Sequence, residues 1–166
     1  MKFFLLVTLL AFVSCTKKSN RSDHIDISIA DDISTLDPAN CYDTICYQPL
    51  SQVYESMFEI EYLKRPYSLR PLLAEGFPAI SNDRLKYTFK IKKGIRYHDS
   101  EFLPKCREVK AQDFANQIKR LAFQGTRSQG FWVVDEKIKG INLWRDKVGT
   151  NLDLFFKEPI SGVITP

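Results

Sequence analysis

Three groups of residues in this 166-residue chain are of types that do chemistry: the neighbours His98 and Asp99, the doublet Asp31-Asp32, and the cysteines at 15, 41, 46 and 106. A histidine beside a carboxylate suggests a general acid–base pair. Adjacent residues on an extended segment point to opposite faces, however, which keeps the two from sharing a proton, so both read as structural. Asp31-Asp32 could coordinate a cation, but a charged strand end is the commoner meaning of such a doublet. Cys41 and Cys46 are too loosely spaced for a zinc pair, and neither His24 nor His98 stands at ligand spacing from them, so no metal site is expected. One disulfide plus one free thiol is the simplest use of Cys41, Cys46 and Cys106, with Cys41–Cys46 the local candidate. There is no glycine-rich phosphate loop, no serine elbow and no HExxH pair. The expectation is a protein that is not an enzyme and carries no cofactor.

The formal charge is +4, with 27% charged and 44% hydrophobic residues. The lysines are spread along segment faces rather than gathered in a patch, so nucleic acid is not an expected partner.

The elements that would position these groups follow from periodicity. In 85–91, Leu85, Tyr87, Phe89 and Ile91 alternate with Lys86, Thr88 and Lys90, which predicts a strand with one apolar face. Lys93-Gly94 predicts a turn and 95–98 a returning strand, giving a hairpin. From Ala111 the period becomes helical: Ala111, Phe114, Ala115, Ile118, Leu121 and Ala122 make one stripe, with Asp113 in the first turn where the helix dipole favours an anion. Upstream, alternating Ile25, Ile27 and Ile29 predict a strand over 24–30. Pro49 is read as a helix opener, with Leu50, Val53, Tyr54, Met57 and Phe58 as its packing face. Ser81-Asn82-Asp83-Arg84 reads as a turn, 126–130 as polar loop, and Ile138, Ile141, Trp144 and Val148 as a last helix weakened by Gly140.

Several of these stretches resemble one family. Tyr87-Thr88-Phe89-Lys90-Ile91-Lys92-Lys93-Gly94, then Arg96-Tyr97-His98-Asp99, then Val109-Lys110-Ala111-Gln112-Asp113-Phe114 look like the signature of the family 5 solute-binding proteins, the oligopeptide, dipeptide and nickel receptors of ABC importers. Thr35-Leu36-Asp37-Pro38 resembles the family's opening motif, and Arg70-Pro71-Leu72-Leu73-Ala74-Glu75 its Pro-x-Leu-Ala-Glu. Ser100 stands where the family usually has glycine, Lys110 where it has a capping threonine, and a longer cysteine-containing loop, 101–108, separates the halves.

The resemblance implies an α/β, α+β-like fragment of periplasmic-binding-protein type II-like architecture, holding part of the main lobe and most of the small accessory domain. It implies a peptide solute and an ABC permease in the inner membrane as partners. Carried over by position, the residues just past Asp37-Pro38 that approach a bound peptide are Tyr42, Asp43 and Thr44. By the same route Trp132 falls where the family carries aromatics near the cleft, although plain packing would bury it.

At the N-terminus, Met1-Lys2, the apolar run 3–13 and Ser14-Cys15 resemble an export signal ending in a lipobox, with Cys15 the residue to be acylated. Eleven residues at about 1.5 Å each are too short to span a bilayer core of roughly 30 Å. The expected organisation is a signal over 1–14, a lipid-anchored tether over 15–23, the first strand and loop of the main lobe over 24–48, and an accessory domain over 49–166. That places the protein in the cell envelope, on the periplasmic or extracytoplasmic face, with a lipid bilayer as a further partner through Cys15. The expected function is the solute-binding component of an ABC importer in truncated form, and the alternative is a stand-alone small lipoprotein serving as a structural or interaction module.

Overall fold

The computed structural model describes residues 25–166. The chain divides into two units, Met1–Ala30 and Asp31–Pro166. Cys15, His24, the signal and the tether lie outside the described residues. Residues 25–30 form neither strand nor helix, which corrects the strand expected over 24–30. Alternating isoleucines suit a strand, but a strand exists only where a partner takes up its backbone hydrogen bonds.

In the second unit, helix α1 (Thr44–Val53) starts at Asp43, whose carboxylate accepts the Cys46 N–H at 2.8 Å. Pro49 therefore lies inside the helix rather than opening it. The aspartate cap satisfies a free N–H of the first turn several residues earlier than proline would, and it sets the start. The helix ends at extended Tyr54, so Met57 lies in a bend and Phe58 opens the strand that follows, and neither belongs to an apolar helical stripe.

Strand β1 (Phe58–Ile60) pairs antiparallel with β2 (Leu69–Pro71), placing Glu59 opposite Arg70 with an ion pair of 2.8 Å between them. Strand β3 (Ala79–Ile80) pairs antiparallel with β4 (Tyr87–Thr88) around the turn at 81–84, where Arg84 takes a φ of 58°. Downstream of β4 the chain bonds back to 73–75: Glu75 N–H donates to Lys90 and Lys92 N–H to Leu73.

The expected hairpin between 85–91 and 95–98 does not form. Residues 95–97 pair instead with 107–109, through Tyr97 N–H to Arg107 and Val109 N–H to Ile95. Gly94, at a φ of 78°, turns the chain away, and its N–H is taken by the Glu108 carboxylate at 2.6 Å. The alternating apolar face is likewise not covered: Leu85 is 85% exposed, and Tyr87 and Phe89 are also exposed. Phe58 stacks on Phe77 and meets Phe89 edge-on, a surface cluster rather than a core.

The core lies in the helical half. Helix α2 (Ala111–Ala122) occupies the predicted span, with Asp113 accepting the Lys110 N–H at 2.9 Å and pairing with Arg107 at 2.5 Å. Short 3-10 turns at Gln124–Thr126 and Gln129–Val133 lead to α3 (Ile141–Val148) and α4 (Leu152–Lys157). Ala122, Phe123, Val134, Ile141, Trp144, Val148, Phe155 and Ile160 bury one another. Gly140 begins α3 as its N-cap instead of weakening its middle. The segment after α4 is tied back by Trp144 Nε1–H to the Glu158 carbonyl at 2.9 Å and Gly162 N–H to the Lys139 carbonyl at 2.8 Å. Among the described residues no helix is long and apolar enough to cross a membrane.

Candidate functional site

The site is built on the loop that leads into α1. Asp37 turns this loop back on itself: its N–H donates to Thr35 Oγ1 at 3.0 Å, and its own carboxylate accepts the Ala39 N–H at 3.0 Å and the Asn40 amide at 3.2 Å. Pro38 lacks an N–H and biases Asp37 away from helix, so the chain takes this side-chain-bonded turn. A disulfide between Cys41 and Cys46, with Cα atoms 5.7 Å apart, then fastens the loop to the first turn of α1.

Three contacts hold the loop against the α2 side of the molecule. Arg120 of α2 donates to Asp37 Oδ2 at 2.6 Å, Ser128 Oγ donates to the Ala39 carbonyl, and Trp132 Nε1–H donates to Tyr42 Oη at 3.1 Å. Arg120 lies two residues before the end of α2, while Ser128 caps the 3-10 turn that carries Trp132. Sequence-distant segments thereby face each other across an open hollow of 590 Å³. One wall presents Ser34, Thr35, Asn40 and Tyr42; the other presents Thr126, Arg127 and Gln129. The volume falls within the roughly 300–1,000 Å³ usual for small-molecule sites.

The residues expected from the sequence take different places around this hollow. Tyr42 lines it, and Trp132, 58% exposed, bonds to Tyr42 instead of packing into the core, so these two aromatics meet. The Lys137 ammonium lies 5.3 Å from the Trp132 ring centroid and donates to the Trp132 carbonyl at 2.6 Å, which fixes the exposed indole. Asp43 also lines the hollow, but its carboxylate is engaged twice: with the Cys46 N–H, and with Ser34 Oγ–H at 3.3 Å. Its main work is to cap α1. Thr44, the first residue of that helix, opens instead onto a smaller hollow of 310 Å³ shared with Tyr42 and Tyr47.

Arg127 was not singled out by its sequence context, which reads only as polar loop. The available signal was its place in the polar stretch immediately before Trp132. His98 and Asp99 take no part in the site. Asp99 Oδ1 accepts the Cys106 N–H at 3.2 Å within the 101–108 loop, a structural use. Chemically the lining of the hollow offers hydroxyls, amides, the Tyr42 ring, the Asp43 carboxylate and one guanidinium, with no nucleophile–base pair. Such a surface suits binding by hydrogen bonds and stacking more than bond breaking.

Comparison with known proteins points the same way. Residues 68–151 match the bacterial extracellular solute-binding proteins, family 5 Middle, and span half of the chain. The chain is 29% identical over 101 residues to the glutathione-binding protein GsiB of Escherichia coli O6:K15:H31 (strain 536 / UPEC), covering 58% of this chain and 19% of that protein. It is 30% identical over 98 residues to GsiB of Escherichia coli O1:K1 / APEC, covering 57% and 18%, respectively. With GsiB of Shigella flexneri the identity is 28% over 98 residues, again covering 57% and 18%. The chain thus matches about a fifth of the length of these relatives. On the family match over residues 68–151, the chain belongs to the bacterial extracellular solute-binding proteins of family 5, a family of binding proteins rather than enzymes.

Proposed function

We propose that this chain is part of the solute-binding component of an ABC importer, and that the hollow between the 34–43 loop and the 126–132 segment is one wall of its cleft. The solute class is peptide-like, in keeping with relatives named as glutathione-binding. In this reading 24–48 belongs to the main lobe and 49–166 to the accessory domain, while Cys15 carries the lipid that holds the protein to the periplasmic or extracytoplasmic face of the envelope.

The observation that carries the reading is the 3.1 Å bond from Trp132 Nε1–H to Tyr42 Oη. It unites, beside a hollow of suitable size, two exposed aromatics that the family resemblance marks on segments far apart in the sequence. Exposed aromatics that are rigidly held but unburied are the usual anchors of a ligand.

A titration of the 166-residue chain with a pool of tri- to pentapeptides, followed by the indole N–H resonances of its two tryptophans, tests this. Peptide should move the Trp132 signal and leave that of buried Trp144 in place, with affinity in the millimolar range because a single open wall desolvates little of the solute. A Trp132 signal that stays still at millimolar peptide overturns the reading.

A second reading, a structural or interaction module without a ligand, draws on exposed Phe77 and Phe89 packed on half-buried Phe58, an apolar surface apart from the hollow. The same titration separates the two, since this reading leaves Trp132 silent.

A further inference from the structure

We propose that this chain pairs with a second copy of itself, as a two-fold symmetric dimer, through the apolar face of its two small sheets. The surface is separate from the hollow, and the proposal does not depend on what the hollow binds.

The register sorts the strand side chains by kind. In β1 and β2, Phe58 stands opposite Pro71 and Ile60 opposite Leu69, so these four share one face, while Glu59 and Arg70 project from the other and pair there. In β3 and β4, Ile80 stands opposite Tyr87, and Ala79 opposite Thr88 on the reverse side. Phe89 follows Tyr87 by two residues and so returns to the Tyr87 side. Phe58 joins the two apolar faces into one, since its ring meets Phe89 edge-on at 6.3 Å between centroids and stacks on Phe77 at 5.6 Å. The paired strands place no charge on this continuous face. It is also open: Ile60, Leu69, Phe77, Ile80, Tyr87 and Phe89 are each between 42% and 65% exposed.

The area and the charge point to the same occupant. At about 200 Å² for a whole residue of this size, the open parts of these six come to roughly 650 Å², above the roughly 300–600 Å² of the largest apolar patch on an ordinary monomer. Two copies laid face to face would cover about 1,300 Å², inside the range of about 1,200–2,000 Å² found for stable interfaces. A two-fold contact sets one patch against the same patch of the partner, so any charge within it would meet its like. The register has put none there, whereas the copies as wholes, at +4 each, repel one another.

Sedimentation equilibrium of the 166-residue chain, 19.2 kDa, is the test. An interface of this area should bring the chain to a half-dimerised state at roughly 10–100 μM, with no larger species. Raising the salt from about 0.05 to 0.5 M should tighten the dimer by about twofold or more, because it screens the repulsion and leaves the apolar contact intact. Leu69→Lys and Tyr87→Lys, one on each sheet, place a cation on the shared face and should each weaken the dimer by about tenfold or more. Thr88→Lys adds the same charge on the reverse side and should change it by less than about threefold. The indole signal of buried Trp144 reports that each variant is folded.

A chain that stays monomeric to about 300 μM overturns the proposal, since an interface of standard size would have formed by then. So does an association that grows past two copies, or one that both face variants leave intact, which would belong to another surface such as the apolar run 3–13. A monomer whose Trp132 signal still moves with peptide overturns the dimer alone and leaves the solute reading standing.

Discussion

Arg120 and Asp37 meet at 2.6 Å although 83 residues separate them in the sequence. The pair joins α2 to the loop whose next few residues carry Tyr42, so it holds the two walls of the hollow in register. Asp37 does more than Arg120, because its carboxylate also closes the turn on Ala39 and Asn40. Asp37→Ala should therefore destabilise the chain by about 1–2 kcal/mol, and Arg120→Ala by less. Both side chains are partly exposed, at 28% and 43%, so their coupling in a double-mutant cycle should be no more than about 1 kcal/mol. Urea unfolding of the two single variants and the double variant measures this. Equal losses in the two single variants would mean that the turn bonds add nothing.

The disulfide between Cys41 and Cys46 closes a short loop, with a sequence separation of 5. Chain-entropy arithmetic for so small a ring gives about 2 kcal/mol of stabilisation, acting through the unfolded state. Replacing both cysteines by alanine should lower stability by about that amount. It should also broaden the Trp132 indole signal, because Tyr42 sits within the ring that the bond closes. A sharp, unshifted Trp132 signal in that variant would show that Asp37 and Ser128 hold the loop without help.

Helix α2 was legible in the sequence because its signals agree: an apolar stripe of helical period, and Asp113 placed to take the Lys110 N–H. The turn at 81–84 was legible for a similar reason, although Arg84 rather than a glycine takes the positive φ there. The partners of 85–91 were not. Alternation marks a segment as fit for a sheet, but nothing local says whether 73–75 or 95–98 will receive its hydrogen bonds. The start of α1 was misplaced because Asp43 sat in a stretch read as loop, where its capping role shows only once Cys46 is known to be helical. Helix α4, capped by Asn151 at Asp153 and Leu154, was too short to produce a readable stripe. Within the site, Tyr42 and Trp132 came from resemblance. Arg127 needed coordinates, since a place in the lining of the hollow is a statement about neighbours.

Gly140 marks where the chain after α4 comes closest to the start of α3. Its φ is 78°, and a Cβ there would lie 2.3 Å from Ser161 Oγ. Gly140→Ala should therefore destabilise by about 1–3 kcal/mol, through the positive φ and through displacement of Ser161 from the Lys139 carbonyl. Gly76→Ala is the control, since nothing lies within 4 Å of the added methyl and the backbone is not left-handed. It should change stability by less than about 1 kcal/mol. Thermal melts of the two variants make the comparison, and similar losses in both would refute the close approach at Ser161.

Lys119 is a cation inside the helical core, 7% exposed, with its Nζ donating to the Phe155 carbonyl at 3.0 Å. The ammonium lies 5.7 Å from the Trp144 ring centroid and 5.8 Å from that of Phe155. Burial holds its pKa below the ordinary 10.5, and the Glu158 carboxylate opposes this only in part. The folded state therefore releases this proton at lower pH than the unfolded state does. At pH below the folded value both states are charged and the burial penalty is present in full. As pH rises from the folded value to the unfolded value near 10.5, the unfolded chain binds more protons and the penalty is relieved. Relative to Lys119→Met, the native chain should then gain stability between neutral pH and about pH 10. Urea midpoints of both proteins at the two pH values test it, and a difference that does not change with pH would mean that the ammonium is as well solvated inside the fold as outside it.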